Sequence, residues 1–380
     1  MEYIKLNELC EINIGKTPSR SNSDYWGIGN KWLSIADLKS KYVSEAKEEI
    51  TDLAVDEAKM RVVPKNTVVM SFKLSIGKLA ILQEDMYTNE AIANFRIKNK
   101  ELITPEYLYY ALKTLNFDNS TDRAVMGATL NKSKLNDIKI PYCKIDIQKK
   151  IVEVLDKSQS LIDKKKEQID LLDELVKSRF IEMFGDPVLN TKEWEVKKVI
   201  DVCECMVPGR DKPKSFTGDI PWITIDDLKI NRVTYKSKSC LGLTDDEIKE
   251  VKRKKIPKGS VLMSCVGNLG ICSIAGEDMI INQQLHSFQC KEINNYFLMY
   301  YLGFRKDYME SKASSTTVLY MNKTVCNSIP VYLPPMELQN EFAEFITKTD
   351  SIRSKMETSL SELEDNFNSL MQKAFKGELF

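Results

Sequence analysis

Two stretches of the chain place apolar side chains at every seventh position. In the first, Leu155, Ile162, Ile169, Val176 and Met183 are spaced by seven, and Ile151 and Leu172 supply part of a second stripe. In the second, Phe342, Thr349, Met356, Leu363 and Leu370 form one series. Ile346, Arg353, Leu360, Phe367 and Ala374 form its complement four residues on. Two stripes at 3-4 spacing are the coiled-coil pattern. Each stretch predicts a helix of roughly 35 residues, about 50 Å at ~1.5 Å per residue, too long for a compact domain. Two ordinary amphipathic core helices are the competing reading, and strict sevens in both stretches speak against it. Pro141 precedes the first stretch, Gly185-Asp186-Pro187 follows it, and Pro334-Pro335 precedes the second, as helix boundaries require. Antiparallel pairing is the simplest way to bury both seams.

Elsewhere the pattern is shorter and mixed. Residues 66–72, 79–82 and 90–97 read as strands, as do 260–266, 270–274 and 283–290. Helices are predicted over 51–60, 105–115, 244–252 and 295–304. Thr244-Asp245-Asp246-Glu247 is a capping box, and Thr51 gives the equivalent start signal. Gly77 and Gly270 fall between β-rich runs, where a turn or close backbone approach needs glycine.

These elements occur twice. Thr51, Pro64, Val68, Met70, Gly77, Ile81 and Asn89 return 193 positions later as Thr244, Pro257, Val261, Met263, Gly270, Ile274 and Asn282. Lys31 to Leu38 (KWLSIADL) answers Pro221 to Leu228 (PWITIDDL) at an offset of 190, and Asn131-Lys132 and Gln148 answer Asn322-Lys323 and Gln339 at 191. A half-chain period is too long for a solenoid repeat. The predicted class is α+β: two homologous mixed α/β domains joined by two long helices that form an antiparallel coiled coil. The boundaries are 1–143, a helix over 144–185, 186–333, and a second helix over 334–380.

At 380 residues, two or more domains are expected, each able to bury a core. No apolar run approaches the ~18 residues of a membrane span, and Met1-Glu2-Tyr3-Ile4-Lys5 does not open a signal peptide, so a cytoplasmic location is expected. The nine cysteines are odd in number and scattered, with Cys265, Cys272 and Cys326 in apolar stretches, which favours free thiols over a disulfide framework. Cys203 and Cys205 lack a second pair at zinc spacing, so no metal site is read. Formal charge is zero, 55 basic against 55 acidic residues; the chain is not globally basic, and any attraction for polyanions must be local.

Catalytic chemistry is missing from the pattern. His286 is the single histidine, in an apolar strand-like run where a structural role is the simpler one. No nucleophile elbow, P-loop or dinucleotide-binding motif occurs at a strand–helix junction. Asp226-Asp227 and Asp245-Asp246 have simpler roles as turn and cap residues. The repeat preserves turns, caps and core, which points to binding. Polar and basic residues gather in loops: Lys16, Thr17, Arg20, Lys31, Lys73, Lys78, Arg123, Lys132 and Lys134 in the first copy, and Arg210, Lys212, Lys214, Lys254, Asn268, Lys312 and Lys323 in the second. Interleaved with Tyr and Trp, such loops suit phosphate contact and base-edge reading. Residues 252–255 also read as a solvated helix end.

The order of the motifs resembles the specificity subunit of a Type I restriction-modification system, over essentially the whole chain. Ile14-Gly15-Lys16-Thr17-Pro18 is similar to the family's G-x-T-P near the start of a target-recognition domain. Trp32-Leu33 and Trp222-Ile223, each followed by Asp-Leu, resemble the next block. Ser75 to Ala80 and Val266 to Gly270 resemble the glycine turn before the family's Asn-Gln strand. Leu333-Pro334-Pro335-Met336-Glu337-Leu338-Gln339 resembles the P-P-x-x-E-Q opening of its long helix, and Phe375-Lys376-Gly377-Glu378-Leu379 its end. The first copy departs from the pattern with Asn89-Glu90 and with Ile145-Asp146-Ile147-Gln148, and the second with Val207-Pro208-Gly209-Arg210.

The resemblance implies two target-recognition domains, each reading one half of a bipartite, asymmetric site on double-stranded DNA. It implies a seam of Leu155, Ile162, Ile169, Val176 and Met183 against Phe342, Ile346, Met356, Leu360, Leu363, Phe367 and Leu370. A 50 Å spacer corresponds to about 15 base pairs at ~3.4 Å each. Two modification (methyltransferase) subunits and, through them, restriction (translocase and nuclease) subunits are the implied partners. S-adenosylmethionine, ATP and Mg would be bound by those partners, and this chain would have no activity of its own. Two rival readings stand beside it: a coiled-coil scaffold with two protein-binding heads, and an enzyme built on Cys265 or His286.

Overall fold

The computed structural model describes residues 1–73, 75–115, 131–209, 211–315 and 318–380. The chain divides into two units, Met1–Lys165 with Ser359–Phe380, and Lys166–Thr358. Each holds one α/β domain and part of each long helix.

In the first unit a five-stranded sheet runs in the order Cys10–Ile14, Ile92–Ile97, Val68–Ser71, Leu79–Leu82, Tyr42–Val43. Neighbours are antiparallel except the last pair. A three-stranded sheet, Glu48–Ile50, Trp26–Leu33, Tyr87–Thr88, lies beside it in the topology, and Glu2–Lys5 pairs with Lys139–Tyr142. The second unit repeats this order: Cys203–Met206, Leu285–Cys290, Val261–Ser264, Cys272–Ala275, Val233–Thr234. Its three-stranded sheet is Gly242–Leu243, Ile220–Ile223, Ile280–Ile281, and Val196–Lys198 pairs with Pro330–Tyr332. Register is conserved as well as order. Val68 faces Ile81 and Val261 faces Ile274; Cys10 faces Ile97 and Cys203 faces Cys290.

The expected strands and helices are present with trimmed ends, and the trimming has local causes. Thr51 accepts from the Ala54 amide and opens the helix Asp52–Glu57. Thr244 and Glu247 complete the capping box of Asp245–Glu250. Lys59 and Lys252, at equivalent positions just past these helices, both have φ of 49°, the left-handed conformation that ends a helix. Gly77 (φ 92°) and Gly270 (φ 75°) make the turns between strands, where a side chain would be strained. The Trp26–Leu33 strand and the capped helices Lys132–Asp137 and Lys323–Asn327 were not among the expected elements.

The long helices run Ile145–Phe184 and Met336–Lys376, 40 and 41 residues, longer than the expected 35. Gly185 and Gly377, both with positive φ, end them. Two terminal carbonyls of the first helix, which have no partner within it, are taken up by neighbours: Trp194 Nε1 donates to Phe184 (2.9 Å) and Lys192 Nζ to Met183 (3.1 Å).

The heptad seam is the observed interface, and its direction is antiparallel within each unit. In the first unit Ile151, Leu155 and Ile162 share a core with Phe367, Met371, Ala374 and Phe375, with Leu360, Leu363 and Leu370 packed against it. In the second, Phe180 packs on Phe342 at 5.3 Å between ring centroids, and Arg179 Nη2 donates to Glu341 at 2.9 Å. Val176, Met183, Phe342 and Ile346 are buried, while Ile169 and Met356 are half-buried. Thr349 and Arg353, the two polar members of the series, are buried too.

One pair of residues joins each domain to the start of its long helix. Gln148 is fully buried; its Nε2 donates to the carbonyls of Leu102 (2.7 Å) and Cys143 (2.8 Å), and its Oε1 accepts from the Thr104 amide (3.2 Å). Gln339 does the same in the second unit, donating to Pro334 (2.7 Å) and accepting from the Asn294 amide (2.8 Å). Thr104 and Asn294 are the N-caps of equivalent helices, Pro105–Lys113 and Asn295–Phe304. The first copy lacks the proline-rich opening, yet it retains the hydrogen bonds.

Among the described residues no helix is long and apolar enough to cross a membrane.

Candidate nucleic-acid interface

Strand alternation sorts the edge pair Cys10–Ile14 and Ile92–Ile97 into two faces. Cys10, Ile12, Ala93, Phe95 and Ile97 point to the core. Glu11, Asn13, Asn94 and Arg96 point the other way, with Glu11 opposite Arg96 and Asn13 opposite Asn94. They form one wall of an open cavity of about 550 Å³ whose rim carries Lys16, Lys59, Arg61 and Lys132. That is the size range of sites that take a small molecule or a nucleotide-sized group. Among the described residues five cations line the cavity against the single carboxylate of Glu11. Asn13 Nδ2 donates to Glu11 Oε1 (2.9 Å); this bond, and then the attraction of Arg96, Lys132 and Arg61, holds the Glu11 carboxyl below its ordinary range. Asn94 is buried at the floor and donates to Thr88 Oγ1 (3.0 Å).

Of the residues expected from sequence, Lys16 and Lys132 meet in this cavity. Lys16 comes from the turn after the first edge strand, and its Nζ donates to the Ala58 carbonyl (2.6 Å). Lys132 is the first residue of a helix capped by Asn131; Lys134 lies in the same helix. Thr17 is hydrogen-bonded to Glu90. Several expected cations are already engaged. Arg20 makes a two-pronged bond to Glu48 and stacks 3.7 Å from the Trp26 ring centroid. Lys31 Nζ is held by the Ser44 carbonyl (2.8 Å), Glu84 (3.0 Å) and Glu45 (3.4 Å). Lys78 lines a different recess, with Ser40, Tyr109 and Gln159 of the long helix. Lys73 is exposed beside Phe72. Arg123 and Arg210 lie outside the described residues.

In the second domain Lys323 repeats Lys132 as the first residue of an Asn322-capped helix, and Lys254 stands 193 positions after Arg61. The edge strands present Glu204 opposite Gln289 and Met206 opposite Ser287. The equivalent wall is therefore built on the same register with different chemistry. Lys212 is exposed, Lys214 pairs with Glu250 (3.5 Å), and Lys312 lies 5.9 Å from the Tyr308 ring. Asn268 accepts from Lys306 Nζ (2.9 Å) beside the glycine turn, in the counterpart of the Lys78 recess. Residues 252–255 are not one patch. Arg253 is buried, 4.8 Å from the Trp222 ring, and donates to the Asp211 and Ile281 carbonyls; Lys255 pairs with Asp245 at 2.7 Å. Arg20 and Arg253 thus stack on equivalent tryptophans, Trp32 and Trp222, from unrelated places in the two copies.

Sequence reading missed Glu11, Asn13, Asn94, Arg61 and Arg96. The signal was polar alternation within strands, in CEINI and IANFRI.

His286 and Cys265 are both buried. The Cys265 thiol is buried and donates to the Gln284 carbonyl at 3.2 Å. His286 is 1% exposed and packs on Phe288. Burial pushes its pKa down from 6.5 to about 4, with Lys323 adding to the shift and Asn327 opposing it. Between those values the unfolded chain binds a proton that the folded one refuses. Stability therefore falls with pH below about 6.5, by about 2 kcal/mol at pH 5. Urea unfolding of wild type and His286→Gln at pH 7.5 and 5.0 should show that pH loss reduced by this amount in the variant. Among the described residues no group of three or more His, Cys, Asp or Glu side chains is placed to hold a metal ion.

Two copies of one sheet, a cation-rimmed wall in the first and a charge-altered wall in the second define a duplicated recognition module. A family model, the Type I restriction modification DNA specificity domain, matches residues 1–173 and again 191–365. The chain belongs to that family. It is 25% identical over 372 residues to the Type I restriction enzyme MjaIX specificity subunit of Methanocaldococcus jannaschii, covering 90% of this chain and 85% of that one. It is 27% identical over 168 residues to the EcoR124I/EcoR124II specificity subunit of Escherichia coli, covering 42% and 41%. Its fold resembles a solved chain of a type I R-M system (TM-score 0.60, 15% identity, 100% and 98% covered). It also resembles the S subunit from M. genitalium (TM-score 0.54, 14% identity, 98% and 96% covered).

Proposed function

We propose that this chain is the DNA-recognition subunit of a Type I restriction-modification complex, acting in the cytoplasm. Each α/β domain reads one half of a bipartite, asymmetric site on double-stranded DNA. The chain docks two modification subunits and, through them, restriction subunits. Methyl transfer, ATP use and cleavage belong to those partners, which bind S-adenosylmethionine, ATP and Mg; this chain contributes recognition alone.

The observation that carries the reading is the repeated register with unlike side chains on the same wall. One frame with two chemistries suits two different half-sites. Lysines at the cavity rim suit phosphate contact, and the polar strand residues inside suit base edges. Exposed apolar residues on the long helices, Leu161, Leu171, Leu175, Ile181 and Ile352, favour protein docking there, which accommodates the scaffold reading within the same proposal.

The test is random-site selection with the chain assembled on its cognate modification subunit. A two-part motif should be enriched, and binding should weaken steeply with salt on a log–log plot through counterion release. Enrichment of no bipartite sequence would overturn the proposal.

A further inference from the structure

Arginine partners separate one pair from all the others. Arg20 is bound to Glu48, Arg179 to Glu182 and Glu341, Arg232 to Glu357, and Arg353 to Asp173 and Asp350. Arg253 and Arg305 donate to backbone carbonyls. Among the described arginines only Arg61 and Arg96 have neither an ion pair within 4 Å nor a hydrogen bond, and both line the Lys16–Lys132 cavity. An unengaged guanidinium on a strand keeps its planar fork of donors available for a bidentate partner.

The surroundings of Arg96 decide between a phosphate and a base. A phosphate site gathers cations and excludes carboxylates, because a nearby carboxylate repels the ligand. Arg96 instead stands directly opposite Glu11 across the strand pair, and Glu11 is held by Asn13. Donors and an acceptor side by side match the mixed edge of a base pair. An arginine fork fits O6 and N7 of guanine, and a carboxylate accepts from N4 of the paired cytosine. Rim lysines Lys16, Lys59 and Lys132 surround it and suit phosphate contact.

The second domain gives the internal comparison. At the position of Arg96 it has Gln289, whose Nε2 is committed to Ser260 (3.3 Å) and Ser287 (3.2 Å). At the position of Asn13 it has Met206, and its retained glutamate, Glu204, is paired with Lys291 at 3.5 Å. Among the described residues no free arginine fork stands on that wall.

We propose that Arg96, positioned against Glu11, is a specificity-determining residue of the first domain and selects a G·C pair in its half-site, a demand the second domain does not make at the equivalent position. This rests on the DNA-recognition reading above. The experiment uses the chain assembled with its modification subunit and random-site selection on wild type, Arg96→Gln and Arg96→Lys. The wild type should enrich a two-part motif with an invariant G·C pair in one half. Arg96→Gln should relax that single position by about 10- to 100-fold and leave the other half-site unchanged. Arg96→Lys keeps the charge and loses the fork, so it should relax the same position. An unchanged motif with uniformly weaker binding in either variant would make Arg96 a phosphate contact and overturn the inference while leaving the recognition role intact. Relaxation at an A·T pair would overturn it as well. A wild-type complex that enriches no two-part motif would overturn the recognition role itself, and this inference with it.

Discussion

Gln148→Leu is expected to destabilise the first unit by about 3–6 kcal/mol, since it takes the fully buried Gln148 amide away from three backbone groups, at about 1–3 kcal/mol each. The groups are the Leu102 and Cys143 carbonyls and the Thr104 amide. Leucine has nearly the volume of glutamine, so packing alone would tolerate the exchange; the loss is one of hydrogen bonding. Gln339→Leu should act alike on the second unit, stranding the Pro334 carbonyl and the Asn294 amide. In thermal melts of the full chain a loss of this size moves the affected transition down by roughly 6–24 °C, at about 2–4 °C per kcal/mol. The exposed Gln168→Leu should shift it by almost nothing. A Gln148→Leu transition within 2 °C of wild type would show that the clasp does not hold domain to helix.

That expectation depends on how differently the parts of this fold were legible in the sequence. The long helices could be read because a coiled coil writes its period into consecutive heptads, and the duplication because turns, caps and core recur in order. Even Arg353, an odd residue for an apolar stripe, fell in its proper series. Gln148 and Gln339 were visible as a repeated pair, but nothing in their spacing says that each is fully buried on backbone groups. The wall proposed for recognition was less legible still. Counting loop cations singled out Arg20 and Lys31, which the fold neutralises with Glu48, Glu45 and Glu84. It passed over Arg96 and Glu11, because a strand shows its neighbours only after pairing sets the register. Charge in sequence is a count, whereas charge at a site is what remains after local partners are subtracted.

The second large effect concerns the one charge inside the helical seam. Arg353 is 2% exposed and lies between Asp173 of the facing helix (2.5 Å) and Asp350 of its own (3.0 Å). Its Nε has no partner, so the guanidinium is only partly compensated for the water it has lost. Asp173→Ala removes the cross-helix partner and leaves a buried cation leaning on Asp350 alone; the expected cost is about 3–5 kcal/mol in the second unit. Replacing the whole triad, Asp173→Leu, Asp350→Leu and Arg353→Met, removes the desolvation penalty together with the attraction. It should be neutral or stabilising by about 1–4 kcal/mol. Urea unfolding of the full chain and amide-exchange protection across residues 166–184 and 336–358 measure both. If the single and triple replacements cost the same, the triad contributes by shape alone. If the triple variant is more stable but loses protection along the seam, the buried charge is kept for alignment, as polar residues at single core positions of coiled coils can be.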